Sequence, residues 1–297
     1  MATLINSTIR RESNKTLFKS IEQAVKGQPW TKVCKPMKTS QITTYFDWLG
    51  QHGSVNEFTD NRTLQSLASH TYNVKTKKWE YTLDFEVDSF NENKDMINPK
   101  IADMATGVLA PHYNTEFFEK LAAAETNLGP DGIAFFSNSH TIDGSATLND
   151  NLMAITGITE ANVIADWLQV KSAYLAFVNR AGIPLFESEG GAKYVIFHGP
   201  ATYDVMNTVF NNKNLSGGGY NINYGAAETV VSGRLSGNDW YCFRVDMPYS
   251  PFYMLEGYKW NAEWDETDKF KSDRIYYGAK GRYICMYGYY QTAIKVT

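Results

Sequence analysis

With 297 residues the chain has room for one large domain or two modest ones, and 43% hydrophobic residues are enough to bury a real core. That composition excludes collagenous, disordered and disulfide-stapled classes. The net charge of −4 hides an asymmetry: residues 1–38 carry eight Lys/Arg against two acids, a net +6, which leaves −10 on residues 39–297.

A basic start on an acidic body fits three uses: nucleic-acid binding, docking on the acidic body of a neighbour, or a plain solvated helix face. Arg10, Arg11, Lys15 and Lys19 are the residues concerned. Helical spacing of Ile9, Leu17, Ile21 and Val25 predicts a helix over Ser7–Lys26, stopped by Gly27-Gln28-Pro29. Its stripe needs a surface to pack on beyond the helix itself. Residues 30–40 read as an irregular basic connection. No apolar run follows the early basic residues, so no signal peptide is expected, and no stretch reaches the ~20 apolar residues of a membrane span. Met1 is present, and N-terminal cleavage is not expected.

Residues 43–49 are short and aromatic, and Gly50 and Gly53 break the run. Residues 61–69 predict a helix with Leu64 and Leu67 on one side. From Trp79 to Asp88 apolar and polar residues alternate strictly, the period of a strand with one apolar face. Tyr72-Asn73-Val74 and this strand predict a hairpin with Lys75, Lys77 and Lys78 at an exposed tip. Glu80, Asp84 and Glu86 form either a solvated strand face or an inter-subunit face that meets Lys or Arg of a neighbour.

Ile97, Ile101, Met104, Val108, Phe118 and Leu121 hold one helical phase over about thirty residues, a helix roughly 45 Å long. Pro99 suits its first turn, whereas Pro111 falls inside the run and predicts one bent helix. Residues 138–151 form a loop of small polar residues. Thr159 predicts an N-cap for a helix that closes at Gly182. A strand at 194–197 and a helix over 200–210 complete a small α/β unit, 151–237, with a long flexible loop at Gly217-Gly218-Gly219. From residue 239 onward Tyr- and Trp-rich strands are expected to pair with the early chain. The α/β unit is then an insertion in a discontinuous domain, and the class is α+β.

No convincing active site emerges. The glycine run lacks the Lys-Ser of a phosphate loop and the spaced third glycine of a dinucleotide fingerprint. His112, His140 and His198 lack metal-ligand spacing, and each fits a structural role. Ser137 and Ser139 lie beside His140 without a nucleophile elbow around them. Cys34, Cys242 and Cys285 are unclustered, against a disulfide framework or zinc site and for a reducing compartment. No cofactor or metal is expected. Asp84 and Glu86, together with 19 Tyr and 7 Trp, keep a carbohydrate-binding module or glycosidase open as a rival.

A series of short motifs runs along the chain: Tyr45, Trp48-Leu49-Gly50, Arg62-Thr63-Leu64, Trp79-Glu80 and Asp88-Ser89-Phe90. The helix with its internal proline follows, then Phe135-Phe136, His140, Gly144-Ser145-Ala146-Thr147, Tyr277-Gly278-Ala279, Gly281 and Tyr287-Gly288-Tyr289-Tyr290-Gln291. In the order and spacing of these motifs, over nearly its whole length, the chain resembles the major head (capsid) proteins of Mu-type bacteriophages. The sequence departs from the pattern at Thr141, at 146–158 and at 211–228.

The resemblance implies the tailed-phage and herpesvirus capsid fold. Residues 1–42 would be an N-terminal arm and 43–90 an extended loop over a neighbouring subunit. Residues 91–150 and 238–297 would form a peripheral domain with a spine helix, and 151–237 an axial domain. Arg62, the lysines 75, 77 and 78, the acidic face and Gly217–Gly219 would then meet neighbours, and Arg10, Arg11, Lys15 and Lys19 would make arm contacts. The implied function is assembly of hexamers and pentamers into an icosahedral shell around double-stranded DNA, in a virion built in the host cytoplasm. Further implied partners are scaffold, portal and decoration proteins and weakly held DNA, with no membrane. No residue marks a Lys–Asn cross-link, and none is expected. A decoration or tail protein is a second rival.

Overall fold

The computed structural model describes residues 5, 7–49, 69–141, 149–179 and 181–297. In chain order its elements are α1 (Ser7–Lys26), β1 (Cys34–Lys38), β2 (Thr43–Leu49), β3 (Ser69–Lys75), β4 (Lys77–Glu86), α2 (Val87–Glu92), α3 (Lys94–Met104), a π turn (Ala105–Leu109) and α4 (Ala110–Ala122). Then come β5 (Leu152–Met153), α5 (Glu160–Ala176), β6 (Tyr194–His198), α6 (Tyr203–Asn211), β7 (Glu228–Val231) and β8 (Trp240–Arg244). The chain ends in β9 (Phe252–Asp265), α7 (Lys269–Ser272), β10 (Arg274–Tyr287) and β11 (Ala293–Val296). Helices and mostly antiparallel sheets coexist in an α+β chain.

The long helix is continuous from 94 to 122, as its apolar phase requires, but the phase is kept by a π turn. Buried positions advance by four: Ile97, Ile101, Ala105, Leu109, Tyr113, Phe117 and Leu121. At 3.6 residues per turn each such step drifts by about 40°, and the wider π turn takes back part of that drift. This is why Val108, expected inside, is 39% exposed while Leu109 is buried. A proline at 111 would press its ring on the carbonyl of Gly107, four residues back, and the π turn occupies that place. Pro99 is not in the first turn as expected. It is the sixth residue of α3, on the solvent side, where water can serve the carbonyl its missing N–H leaves free.

Two sheets flank this helix. The first has the order β1-β9-β10-β4. β4 alternates as predicted, with Trp79, Leu83 and Phe85 turned inward, and pairs with β10 from Lys77↔Tyr283 to Glu86↔Arg274. The expected hairpin of 72–74 with 79–87 does not form. Thr76 alone separates β3 from β4, too little to reverse the chain, and β3 pairs with β2 instead. Thr76 is buried, its N–H and hydroxyl both donating to the carbonyl of Ile42. Residues 30–40 are also more regular than expected, since β1 joins β9 in parallel. The predicted helix at 61–69 lies outside the described residues apart from Ser69, which belongs to β3.

The second sheet has the order β5-β11-β8-β6-β7. β9 and β10 pair with β1 and β4 of the early chain, as expected, but β8 and β11 pair with β6 and β5 of the α/β unit. β6, β8 and β11 are buried at every residue, the mark of a sheet covered on both faces. α5 and α6 cover one face. Thr159 caps α5, its hydroxyl accepting from the Asn162 N–H, but the helix ends at Ala176, and Gly182 serves a later turn with φ +74°. Lys295 reaches from β11 to Asp239, 2.7 Å away, and to Glu125. Burial would lower its pKa, but these two carboxylates hold it above the ordinary lysine value.

α1 spans the predicted residues and lies on α3, the π turn and α4 of the same chain. Leu17 is fully buried in the core they share. Between α1 and the first sheet lies a cleft of about 730 Å³ lined by Phe18, Val25, Trp30, Tyr113, Trp260 and Glu256, among others. Glu256 is 8% exposed, and burial raises its carboxyl above the usual range, against the pull of Lys259 and Lys38.

Two outcomes follow from this packing. Leu17→Ala should cost about 2–5 kcal/mol in denaturant unfolding, whereas Lys15→Ala on the exposed face of the same helix should stay within about 0.5 kcal/mol. For Glu256 the folded-state pKa exceeds the unfolded one, so its contribution is favourable below the ordinary carboxylate pKa and is lost as pH rises through the raised value. Glu256→Gln, which cannot ionise, should therefore melt above the parent at pH 8, and the gap should close toward about pH 4.

Candidate assembly surfaces

The groups that might have done chemistry are occupied in holding the fold. His140 is fully buried; Nδ1 lies 2.7 Å from Asp131 Oδ2, Nε2 lies 3.2 Å from the Phe135 carbonyl, and the ring stacks on Tyr290 at 3.7 Å. Ser137 and Ser139 bond each other at 2.7 Å, so neither hydroxyl is aimed at that histidine. His112 lies against Trp79 and shares a 2.7 Å hydrogen bond with the Tyr283 hydroxyl; burial lowers its pKa. His198 Nδ1 lies 2.9 Å from the Gly199 carbonyl. All three cysteines are buried and free, and burial pushes the thiols of Cys34 and Cys242 well up. Among the described residues no set of three His, Cys, Asp or Glu converges as a metal site would.

The tryptophans placed here belong to the interior. Trp30, Trp167, Trp240, Trp260 and Trp264 are buried and Trp79 is half-buried. None of these forms the open ring platform that sugar binding needs. Asp84 and Glu86 sit on the solvent face of β4, and Asp84 is paired with Arg274 at 2.9 Å. Both carboxylates that suggested a glycosidase are thus exposed strand residues, not a buried pair beside open rings.

What remains is surface. Lys75 ends β3; Lys77 and Lys78 open β4, all three exposed, with Lys77 Nζ 5.3 Å from the Trp79 ring. Glu80 accepts from the Thr82 hydroxyl at 3.2 Å. The lysines are thus strand residues at the join of two sheets, not a hairpin tip. Arg62 lies outside the described residues. On α1, Arg11 pairs with its neighbour Glu12, and Lys15 and Lys19 point outward. Arg10 is engaged within the chain, with Glu266 at 3.3 Å and the Trp264 carbonyl at 3.5 Å. Two further basic residues also hold the start of the chain to its own body. Lys32 pairs with Glu228, and Lys35 donates to the carbonyls of Met247 and Pro248.

The glycine run is a tied turn. Gly218, at φ +80°, is in a conformation that side chains disfavour, its N–H donates to the Leu215 carbonyl, and Leu215 N–H donates to Gly219 O. Ser216 anchors the turn to the start of α5, donating from its N–H and hydroxyl to Glu160, which holds that carboxyl below its ordinary pKa. Just beyond it the residues are apolar and open: Tyr220 is 76% exposed, Ile222 81% and Tyr224 46%. Reading this stretch as a plain flexible loop missed them; the alternation Tyr220, Ile222, Tyr224 was the available signal.

The family model of the Mu-like prophage major head subunit gpT matches residues 8–180. The chain is 28% identical over 142 residues to the Mu-like prophage FluMu major head subunit of Haemophilus influenzae, a match covering 45% of each chain. It is 24% identical over 131 residues to the major capsid protein of Escherichia phage Mu, covering 42% of this chain and 43% of that one. These matches span less than half the length of either relative. The fold is similar to that in the asymmetric unit of the bacteriophage PhiM1 mature capsid, with a TM-score of 0.61 at 9% identity over 90% of this chain and 86% of the other. The architecture is therefore that of tailed-phage capsid proteins. With more than half of its length matched by the family model, this chain belongs to the Mu-like prophage major head subunit family.

Proposed function

We propose that this chain is the major capsid protein of a tailed bacteriophage: it self-associates into hexamers and pentamers that close into an icosahedral shell around double-stranded DNA. Membership of the head-subunit family carries this reading, and the open apolar residues beyond the glycine turn support it. Three large side chains close in sequence, Tyr220, Ile222 and Tyr224, stand in water, where a copy packing alongside would cover them. In this reading residues 151–237, with β8 and β11 completing their sheet, form the axial domain around the capsomer axis, 43–90 the extended loop over a neighbour, and the helix over 94–122 the spine of the peripheral domain. Residues 1–42 are the arm. Its first helix is held on the spine by Leu17, so contacts to DNA or a neighbour fall to the outward Lys15 and Lys19. The role is structural, not catalytic. Scaffold, portal and decoration proteins are the further partners this role calls for.

A shell of this kind is held by many repeated contacts, each modest alone. Negative-stain electron microscopy with light scattering on the purified chain should show closed shells, tubes, or rings of five and six. A monomer at every concentration and salt, also when co-expressed with candidate scaffolds, would overturn the reading. Tyr220→Ser combined with Ile222→Ser should raise the concentration needed for assembly at least about tenfold, through loss of buried apolar area. The melting temperature of the free subunit should hardly move, since neither side chain is in the core.

A further inference from the structure

The four strands that edge the two larger sheets are protected unequally. β5 has two residues, β7 four, and β1 five with Pro36 among them, which removes a donor. Short edge strands and prolines discourage pairing with a further strand. β4 has neither defence. It runs ten residues, about 33 Å, with no proline or glycine and no register shift against β10. Among the described residues no strand lies on its other side.

Its charges are also asymmetric along its length, Lys77 and Lys78 at the start and Glu80, Asp84 and Glu86 after them. We propose that the free edge of β4 pairs antiparallel with β4 of a second copy, about a two-fold axis through Tyr81. This rests on the shell-subunit reading and specifies one of its contacts. Opposed residues in an antiparallel pair point to the same face, so inward residues must meet inward ones. Centring on Tyr81 sets Trp79 against Leu83 of the second copy, Glu80 against Thr82, Tyr81 against itself, and Lys78 against Asp84, with each unlike pair made twice by symmetry. Moving the centre to Thr82 sets Glu80 against Asp84; moving it to Glu80 sets that carboxylate against its own copy. Only the Tyr81 register joins opposite charges without opposing like ones while keeping nine residues in the overlap.

The side chains needed are available. Lys78, Glu80, Tyr81, Thr82 and Asp84 are exposed. Lys78 has no ion-pair partner among the described residues, and Asp84 uses one carboxylate oxygen on Arg274. A two-fold contact is self-complementary and closes at two copies. It therefore joins neighbouring capsomers, leaving the five- and six-fold rings to other surfaces.

The test is cross-linking of the full-length Tyr81→Cys chain with oxidised glutathione. Opposed α-carbons in an antiparallel pair lie about 4.5–5.5 Å apart, within disulfide reach, and the native cysteines are all buried. A reducible dimer should form at least about tenfold more than with Lys77→Cys, which faces Phe85 in this register. Lys78→Glu should lower the dimer yield of Tyr81→Cys about tenfold, because two ion pairs become repulsive. Adding Asp84→Lys should restore most of it. No preferential dimer through residue 81, or no rescue by the charge swap, overturns the proposal, including the case where another segment occupies the edge. Shells without the residue 81 cross-link would remove this strand pair and leave the capsid reading intact. Cross-linked dimers that never yield shells or rings would do the reverse.

Discussion

The structure depends on one contact: the helix over 94–122 laid along the aromatic face of the first sheet. Tyr113 stacks on Tyr283 at 4.2 Å, Phe117 meets Phe252 edge-on at 5.2 Å, His112 lies on Trp79 at 4.4 Å, and the Tyr287 hydroxyl donates to the Lys120 carbonyl. These contacts span about two turns of α4, and the buried positions from Ile97 to Leu121 carry the same apolar face along the rest of the helix. A straight α-helix whose contacts fall every fourth residue cannot do that, and the π turn at 105–109 is the correction. α1 is laid against α3, the π turn and α4 and also reaches β9, so it shares the core of the long helix, with Ala105 and Leu109 of the π turn buried in it.

The second constraint is the shared wall. Val195, Phe197, Tyr241 and Phe243 turn one face of the five-stranded sheet toward the core built on the long helix, while Tyr194, Ile196, Trp240 and Cys242 turn the other toward α5 and α6. Burial on both faces explains why the α/β unit cannot be cut out at residue 237: its central strand, β8, lies beyond that point. It also explains the polar atoms placed inside. Tyr174 donates its hydroxyl to the Cys242 carbonyl at 2.8 Å, and Lys295 is compensated by Asp239 and Glu125. A buried ammonium is tolerable only with such partners, so these links register β11 against the end of α4 and the start of β8.

Local chemistry was legible in the sequence wherever it sufficed by itself. Gly27-Gln28-Pro29 ended α1, Thr159 opened α5, and the period of two over residues 79–86 gave β4 its inner and outer faces. Partner choice was not legible. Alternation says which way side chains point but not which strand lies alongside, so β4 was assigned to β3 when β10, nearly two hundred residues away, pairs with it. Val108 was misplaced because a π turn leaves no residue signature, and only Pro111 hinted at the need for one. Of the candidate surface, the charges of β4 were found and the role of Gly218 was half found, since the glycine run marks a turn but not its tether to Glu160. The basic start misled most. Arg10, Lys32 and Lys35 counted toward a charged arm, yet each is used within the chain, a pairing that only the folded distances reveal.

In the proposed shell, these placements bear on how a subunit that meets many copies of itself avoids meeting them wrongly. The residues that fix its own shape are buried, and their hydrogen bonds are largely internal. Two groups among those left outside bear on assembly in the proposed shell. The apolar group at 220–224 follows the turn tied to Glu160 and is held in place by buried Asn221, whose side-chain amide donates to the carbonyls of Thr208, Val209 and Asn212. The charged edge of β4 sits on a strand fixed by ten residues of pairing with β10. Apolar contact is tolerant of angle, because it depends mainly on area. Strand pairing is intolerant, because register and hydrogen bonds must match together. A shell built from one sequence needs both properties, tolerance within rings of five and six and a defined geometry between them. Under the proposed assembly, the apolar group at 220–224 and the long patterned edge of β4 would each supply one of these properties.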